Sequence, residues 1–343
     1  MKLIVTGGAG FIGSAFVAQS IMRGDEVIVL DKFTYAGHHE NLDCIKDKSR
    51  LQIVTGDICD SALASRLLRE QQSDAVVNFA AESHVDNSIS SPGIFIKTNI
   101  EGTYNLLENS RKYWNELVVE KKEKFRFVQI STDEVYGSLG ATGKFSEESP
   151  IRPNSPYSAS KAAGDHLARA WYETYRFPAI ITNCSNNYGP RQFPEKLIPK
   201  TILDALSGRK IGIYGDGKNV RDWIHVEDHC TGVHLALTRG NPGETYCFGG
   251  NAERNNIETA NKICEILDAI RPRKAGSHKE QITFIKDRPG HDKRYAIDDA
   301  KAARELGFKR KYNFEKGIEA TVEWYLQNRG WADSVTHKEK ARA

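Results

Sequence analysis

No C-x-x-C pair occurs in the 343-residue sequence, and its six cysteines (Cys44, Cys59, Cys184, Cys230, Cys247, Cys264) are scattered along the chain. Such spacing reads as buried free thiols in a reducing compartment, so the expected location is the cytoplasm. Long hydrophobic runs are missing too. Nothing approaches about 18 consecutive apolar residues, which excludes a membrane-spanning helix. Met1-Lys2 leads directly into an apolar stretch, without the layout of a signal peptide. Excess charge of one sign is also lacking, with 48 basic against 45 acidic residues and a net of +3. That balance argues against a nucleic-acid partner held by bulk charge. Internal repeats and low-complexity segments are likewise absent.

What is present is chain enough for two domains at roughly 150 residues each, or one large domain with an added lobe. A chain of this length buries a core without disulfides or metals to hold it. Short apolar runs at Lys2–Thr6, Glu26–Leu30, Leu51–Thr55, Ala75–Ala80, Phe125–Ser131 and Ala179–Cys184 are mostly separated by segments of helical spacing. Continuous rather than alternating runs indicate strands buried on both faces. They predict an α/β fold, a doubly wound parallel (Rossmann) sheet between helical layers. Beyond about Tyr188 the texture changes. Gly215-Asp216-Gly217 after Ile211–Tyr214 predicts a hairpin turn, and helices are expected over Ile257–Ile270 and Phe314–Gln327. The polar, basic stretch Ser334–Ala343 is expected to fray. The organisation expected is an NAD-binding domain over 1–187 and a smaller mixed α/β substrate lobe mainly over 188–330, with some segments returning to the first domain. A tail over 331–343 follows.

The first strand runs into Thr6-Gly7-Gly8-Ala9-Gly10-Phe11-Ile12-Gly13. Gly7, Gly10 and Gly13 permit a tight turn and let backbone N–H groups approach a pyrophosphate at a helix N-terminus. A strand before and a helix after supply the context that such a motif requires. Asp31 ends the second strand, where a carboxylate holds ribose hydroxyls and repels a 2′-phosphate. The cofactor expected is therefore NAD rather than NADP. Asp57-Ile58 follows the third strand as an adenine contact or an ordinary turn.

Tyr157 and Lys161 are four residues apart and share one face of a helix. Ionising a tyrosine at pH 7 costs roughly 4 kcal/mol against its ordinary pKa, and nearby positive charges lower that cost. A phenolate so stabilised takes a hydroxyl proton as hydride leaves for NAD.

These motifs are joined by Ala80-Ala81-Glu82-Ser83-His84-Val85-Asp86, Ser131-Thr132-Asp133-Glu134-Val135-Tyr136-Gly137 and Asn186-Asn187-Tyr188-Gly189-Pro190. Phe193-Pro194-Glu195-Lys196-Leu197, Val220-Arg221-Asp222-Trp223 and Asp287-Arg288-Pro289-Gly290-His291-Asp292 complete the set. With them the chain resembles the extended short-chain dehydrogenase/reductases, and among these the nucleotide-sugar 4,6-dehydratases, from Lys2 to about Asp299. The most diagnostic piece is Thr132-Asp133-Glu134, because related epimerases and decarboxylases keep the tyrosine and lysine but lack the Asp-Glu pair.

The resemblance implies a lyase acting on a nucleotide sugar, with dTDP-glucose the expected substrate and UDP-glucose the alternative. Tyr157, aided by Thr132, would oxidise C4, Glu134 would remove the C5 proton, and Asp133 would protonate the departing C6 hydroxyl. The NAD site would be lined by Phe11, Ile12, Asp31, Lys32, Asp57, Ile58, Ala80, Ala81, Thr98, Tyr157, Lys161 and Asn187. The nucleotide sugar would meet Ser83, Thr132, Asn186, Lys196, Leu197, Tyr214, Arg221, Asn256, Arg288 and His291. Guanidinium forks suit a diphosphate, which fits Arg221 and Arg288. The resemblance also implies a homodimer through helices such as Ile94–Lys112 and Ser158–Tyr175. Asn87 and Arg191 depart from the family pattern of arginine and tyrosine at those places. His225 and His229 have a spacing that can bind zinc, but no third ligand is evident and no metal is expected. Asp228 reads as a helix N-cap. The rival readings are a 4-epimerase or decarboxylase on the same fold, or a non-catalytic NAD-binding scaffold.

Overall fold

The computed structural model describes the backbone of residues 1–287 and 289–342, and the side chains of 1–287 and 289–336. Its strands are β1 (Lys2–Thr6), β2 (Glu26–Asp31), β3 (Leu51–Thr55), β4 (Ala75–Asn78), β5 (Arg126–Thr132) and β6 (Ala179–Cys184). These are followed by β7 (Asn186–Tyr188), β8 (Ile211–Tyr214), β9 (Val220–His225), β10 (Thr245–Phe248), β11 (Glu253–Asn255) and β12 (Ile282–Ile285). Seven strands form one all-parallel sheet in the order β10-β6-β5-β4-β1-β2-β3. The six apolar runs all fall on its strands; β1, β2, β4, β5 and β6 are buried on both faces as predicted, whereas the edge strand β3 is largely exposed.

Two helical layers supply that burial. On one face the helices Phe11–Met22 and Val226–Arg239 place Phe16, Val17, Ile21, Val233 and Leu237 against Leu3, Val5, Val27 and Val128. On the other, Leu67, Leu68, Leu106, Leu107 and Ala168 cover Ile4, Ile28 and Phe127. Each large apolar side chain so buried contributes about 1.5–3 kcal/mol. The sheet reverses its strand order between β1 and β4, so a crevice opens beyond their carboxyl ends.

The second core gathers Ile198, Ile202, Ile213, Trp223, Ile263, Leu267, Ile318 and Tyr325. Its helix Asn256–Ile270 begins one residue before the predicted start, with a capping box between Asn255 and Glu258, and Phe314–Gln327 matches its prediction.

Two expectations are corrected here. The glycine turn does not close a hairpin. Gly217 N–H does bond Tyr214 O, yet β8 pairs in parallel with β12, and β9 pairs instead with β7 and β11. The backbone edge of β8 is satisfied by a strand some 70 residues away, which local turn chemistry does not reveal. Nor does the terminal segment fray at Ser334: a helix spans Arg329–Arg342. Ala332 and Val335 are buried, and Trp331 Nε1 donates to Asn41 Oδ1 at 3.0 Å. Those apolar residues anchor a helix that polar composition alone obscured.

Candidate active site

All the expected site residues except Arg288, which lies outside the described residues, line one cavity of about 520 Å³. It runs along the carboxyl edge of the parallel sheet, from the glycine turn to β8 and β9. A second concavity of about 830 Å³, at Ala205–Gly208 and Ile270–Ala275, contains none of them.

At one end the backbone makes a cradle. Gly7 has φ of +65°, and a Cβ there would sit 2.6 Å from Ala80 N. A Cβ on Gly13 would stand 2.1 Å from Gly7 O, so the helix and turn close on each other only through glycine. Gly10 occupies the N-cap of Phe11–Met22 and brings no side-chain cap, and the first turn carries no acidic residue. Its N–H groups therefore suit an anion, and the cradle fits a dinucleotide pyrophosphate. Asp31 Oδ2 accepts from Ala9 N–H at 2.9 Å and Oδ1 from Phe33 N–H at 2.8 Å. Burial raises its pKa while those two bonds oppose the shift. Lys32 and Asp57 form an ion pair at 2.7 Å on the rim.

A seven-residue π-helical segment, Ile96–Gly102, forms one wall and carries Thr98. Its buried Asn99 accepts from Glu82 N–H and donates to Glu82 O and Ser160 Oγ. One amide thus ties the loop after β4 to the helix that bears Tyr157.

At the centre, β5 ends in Thr132, whose hydroxyl accepts from Glu134 N–H and caps the turn Asp133–Tyr136. That turn points both acids into the cavity. Asp133 is 1% exposed and its Oδ2 is buried without a partner among the described residues. Burial, then the Glu134 and Asp222 charges, hold its pKa well above the ordinary carboxylate value. A carboxyl so raised beside a second one is the arrangement that separates an acid from a base. The Tyr157 phenol is near Thr132, whose hydroxyl favours the ionised form. Burial and the neighbouring Glu134 charge raise its pKa well above 10. Lys161 Nζ donates to Ile130 O at 2.6 Å, and burial lowers its pKa.

Comparison with known proteins decides which chemistry this constellation serves. The family model for GDP-mannose 4,6 dehydratase matches residues 4–321. A dTDP-glucose 4,6-dehydratase of Xanthomonas campestris pv. campestris is 56% identical over 333 residues, 97% of this chain and 95% of that one. One from Salmonella typhimurium is 53% identical over 345 residues, with 98% and 95% covered. The crystal structure of a dTDP-glucose 4,6-dehydratase from Streptomyces venezuelae, with NAD bound, superposes with a TM-score of 0.89. It shares 45% identity and covers 98% of this chain and 100% of that one. The chain belongs to the dTDP-glucose 4,6-dehydratase family.

In this dTDP-glucose 4,6-dehydratase family member the substrate end departs from simple expectation in places. Arg221 is buried, stacks over the Tyr295 ring at 4.4 Å and donates to Val220 O and Asp292 O. Tyr214 lines the cavity and donates to Asp86 Oδ2 at 3.2 Å. Asn186 Oδ1 is buried without a partner, and Lys196 Nζ donates to Ser83 O. Asp228 is not the N-cap: His225 takes that place, and Asp228 accepts from the N–H groups of Lys311 and Tyr312. His229 Nδ1 meets Asn187 Oδ1 at 2.9 Å.

Sequence reasoning missed a group on the opposite wall. His84 Nδ1 accepts from Asn87 N–H, so its Nε2 carries the proton and meets Glu195 Oε2 at 3.1 Å. Both lay inside the motifs that carry the resemblance, and only their meeting across the cavity marks them as a pair. Glu82, with its pKa raised chiefly by burial, is a further lining acid that was missed.

Proposed function

We propose that the protein converts dTDP-glucose to dTDP-4-keto-6-deoxyglucose and water, as an NAD-dependent hydro-lyase. The carrying observation is a buried Asp133, its pKa held well above the ordinary carboxylate value, beside Glu134 in one cavity with Tyr157 and Lys161. An epimerase has no use for that acid. NAD held by the Gly7–Gly13 cradle and Asp31 would supply the acceptor for the C4 hydride and the donor for C6, and so would be regenerated in each turnover.

The protein's own residues divide the proton work. Tyr157 takes the C4 hydroxyl proton, with Thr132 bonded to the same oxygen and the Lys161 ammonium lowering the cost of the phenolate. The new ketone acidifies C5, whose proton Glu134 removes. Asp133 then gives its proton to the C6 hydroxyl as it leaves as water. Arg221 is suited to the diphosphate, and Ser83, Asn186, Lys196, Leu197, Tyr214, Asn256 and His291 to the sugar and base. Arg288 keeps a diphosphate role on the resemblance alone.

Residues 1–187 serve as the NAD domain, and 188–330 mainly as the nucleotide-sugar lobe. Exposed Ile89, Ile94, Ile96, Tyr104 and Tyr175 lie on mutually packed helices and support a homodimer through that face. Six unpaired thiols, four of them buried, support a cytoplasmic location.

The test is incubation of the purified protein and NAD with dTDP-glucose, UDP-glucose and GDP-mannose, with products identified by mass. Loss of one water from dTDP-glucose is expected, with slower or no conversion of the others. An isomer of unchanged mass would replace this reading with epimerisation.

A further inference from the structure

Asp165 lies one helical turn beyond Lys161 on the helix Pro156–Tyr175, and the two side chains are 4% and 5% exposed. They grip consecutive residues of β5. Lys161 Nζ donates to Ile130 O, and the Ser131 hydroxyl donates to Asp165 Oδ2, both at 2.6 Å. The next residue is Thr132, which opens the Thr132-Asp133-Glu134 triplet. From β6, Asn183 Nδ2 donates to Thr132 O and Cys184 Sγ to Ser131 O. Asp165 Oδ1 is buried, and the Asn183 amide lies near the carboxyl. A buried carboxylate and a buried ammonium are each costly alone, and each relieves the other when both are charged.

We propose that Asp165 is a positioning residue for the dehydratase reaction: it keeps Lys161 charged, and through Ser131 it fixes the strand end that presents the triplet. It touches neither substrate nor cofactor, since it does not line the cavity. The inference rests on the reaction assigned above and extends it to a residue behind the active-site wall.

The surrounding charges favour this role. Burial lowers the Lys161 pKa, and the Asp165 charge is the largest influence that restores it. Cys184 faces the lysine from β6 and Tyr136 faces Asp165 from the turn after β5. Burial pushes that thiol up to about 12 and that phenol up as well, so both are neutral near pH 7. Burial holds the pKa of Asp133, beside Cys184, well above the ordinary carboxylate value. The Asp165 carboxyl is itself raised to about 7 by burial, against the bond from Ser131, the Lys161 charge and the Asn183 amide. Ionised Asp165 therefore supports the ammonium around neutrality, and the ammonium supports the Tyr157 phenolate.

Asp165→Asn keeps the shape and the acceptor for Ser131 but removes the charge. Reduced cofactor formed in a single turnover with dTDP-glucose should fall about tenfold or more at pH 7. KM for dTDP-glucose should stay within about twofold, because only kcat depends on the proton transfer. The second readout needs no turnover: the Tyr157 phenolate, titrated by near-ultraviolet absorbance in the NAD complex against Tyr157→Phe. Its titration should move up by about one pH unit or more, and Asp165→Glu should recover part of both effects. A rate loss with the phenolate titration unmoved would overturn the proposal, as would a rate profile superposing on the wild type. Should Asp165→Asn fail to fold, Ser131→Ala takes its place. It removes a bond that favours ionised Asp165, so the acid limb of the rate profile should shift to higher pH, and an unshifted limb overturns the proposal. A wild-type protein inactive on dTDP-glucose would refute the assigned reaction, while the phenolate titration would still judge Asp165.

Discussion

Asp133 and Glu134 are neighbours in the chain but occupy different environments, and the step order separates their roles. Asp133→Asn removes the C6 proton donor and leaves C4 oxidation intact. Dehydration should slow by about 10²-fold or more while reduced cofactor and 4-keto sugar accumulate, read by absorbance and mass spectrometry. Glu134→Gln should suppress exchange of the C5 proton with deuterated solvent while reduced cofactor still forms. If both variants dehydrate at the wild-type rate, the assignment of this pair fails. Asp31 is a double case, because its carboxylate also closes the turn through Ala9 and Phe33 N–H. Asp31→Ala should weaken NAD binding and relax preference over NADP in calorimetry. It should also cost about 1–3 kcal/mol of stability by leaving Ala9 N–H without its partner.

At the scale of elements, the site depends on contacts between segments that are distant in sequence. The Phe11–Met22 helix approaches the first turn only because Gly13 lacks a side chain. Gly13→Ala should therefore abolish measurable NAD binding by pushing helix and turn apart, and retained affinity would refute that account of the cradle. Asn99 in the π segment joins Glu82 to Ser160. Asn99→Ala strands the Glu82 N–H and carbonyl, so denaturant unfolding should show a loss of about 2–4 kcal/mol. Activity should fall with it, since the loop after β4 and the Tyr157 helix lose their common anchor.

Over the whole molecule, burial raises the carboxyl pKa of Asp31, Glu82, Asp133, Asp165 and Asp222. Their contribution to stability is complete below the unfolded value, about 4, and is lost as pH rises through the folded value. Buried His225 and His229 act in the opposite sense. Burial lowers them to about 4 and about 3, so stability is lost as pH falls below 6.5. From about pH 6.5 to 8 the histidine contribution is complete and no longer changes, while the Asp165 carboxyl, raised to about 7, still titrates. Tm of the protein without ligand should therefore fall across that window, and Asp165→Asn should flatten the slope. A Tm that rises there would contradict a raised Asp165 carboxyl. Paired Tyr104→Glu and Ile94→Glu substitutions should convert a dimer to monomer in sedimentation velocity, and a wild-type monomer would remove the homodimer.

Much of this molecule was legible along the chain, for a physical reason. Continuous apolar runs mark strands buried on both faces, and a glycine turn between strand and helix marks where phosphate meets backbone. Tyr157 and Lys161 share a helix face by periodicity alone, and Thr132-Asp133-Glu134 stands at the end of a strand. These are local properties, set by the repeat of the backbone, and the sequence alone determined them. The parallel pairing of β8 with β12, the anchoring of Trp331 against Asn41, and the reach of His84 to Glu195 depend on segments separated by about 70 to 290 residues. No local pattern encodes such pairings, because each is chosen by the packing of elements against a shared core. The raised pKa of Asp133 belongs to the same class: the residue is written in the sequence, but its burial, and hence that shift, was decided only by the tertiary structure.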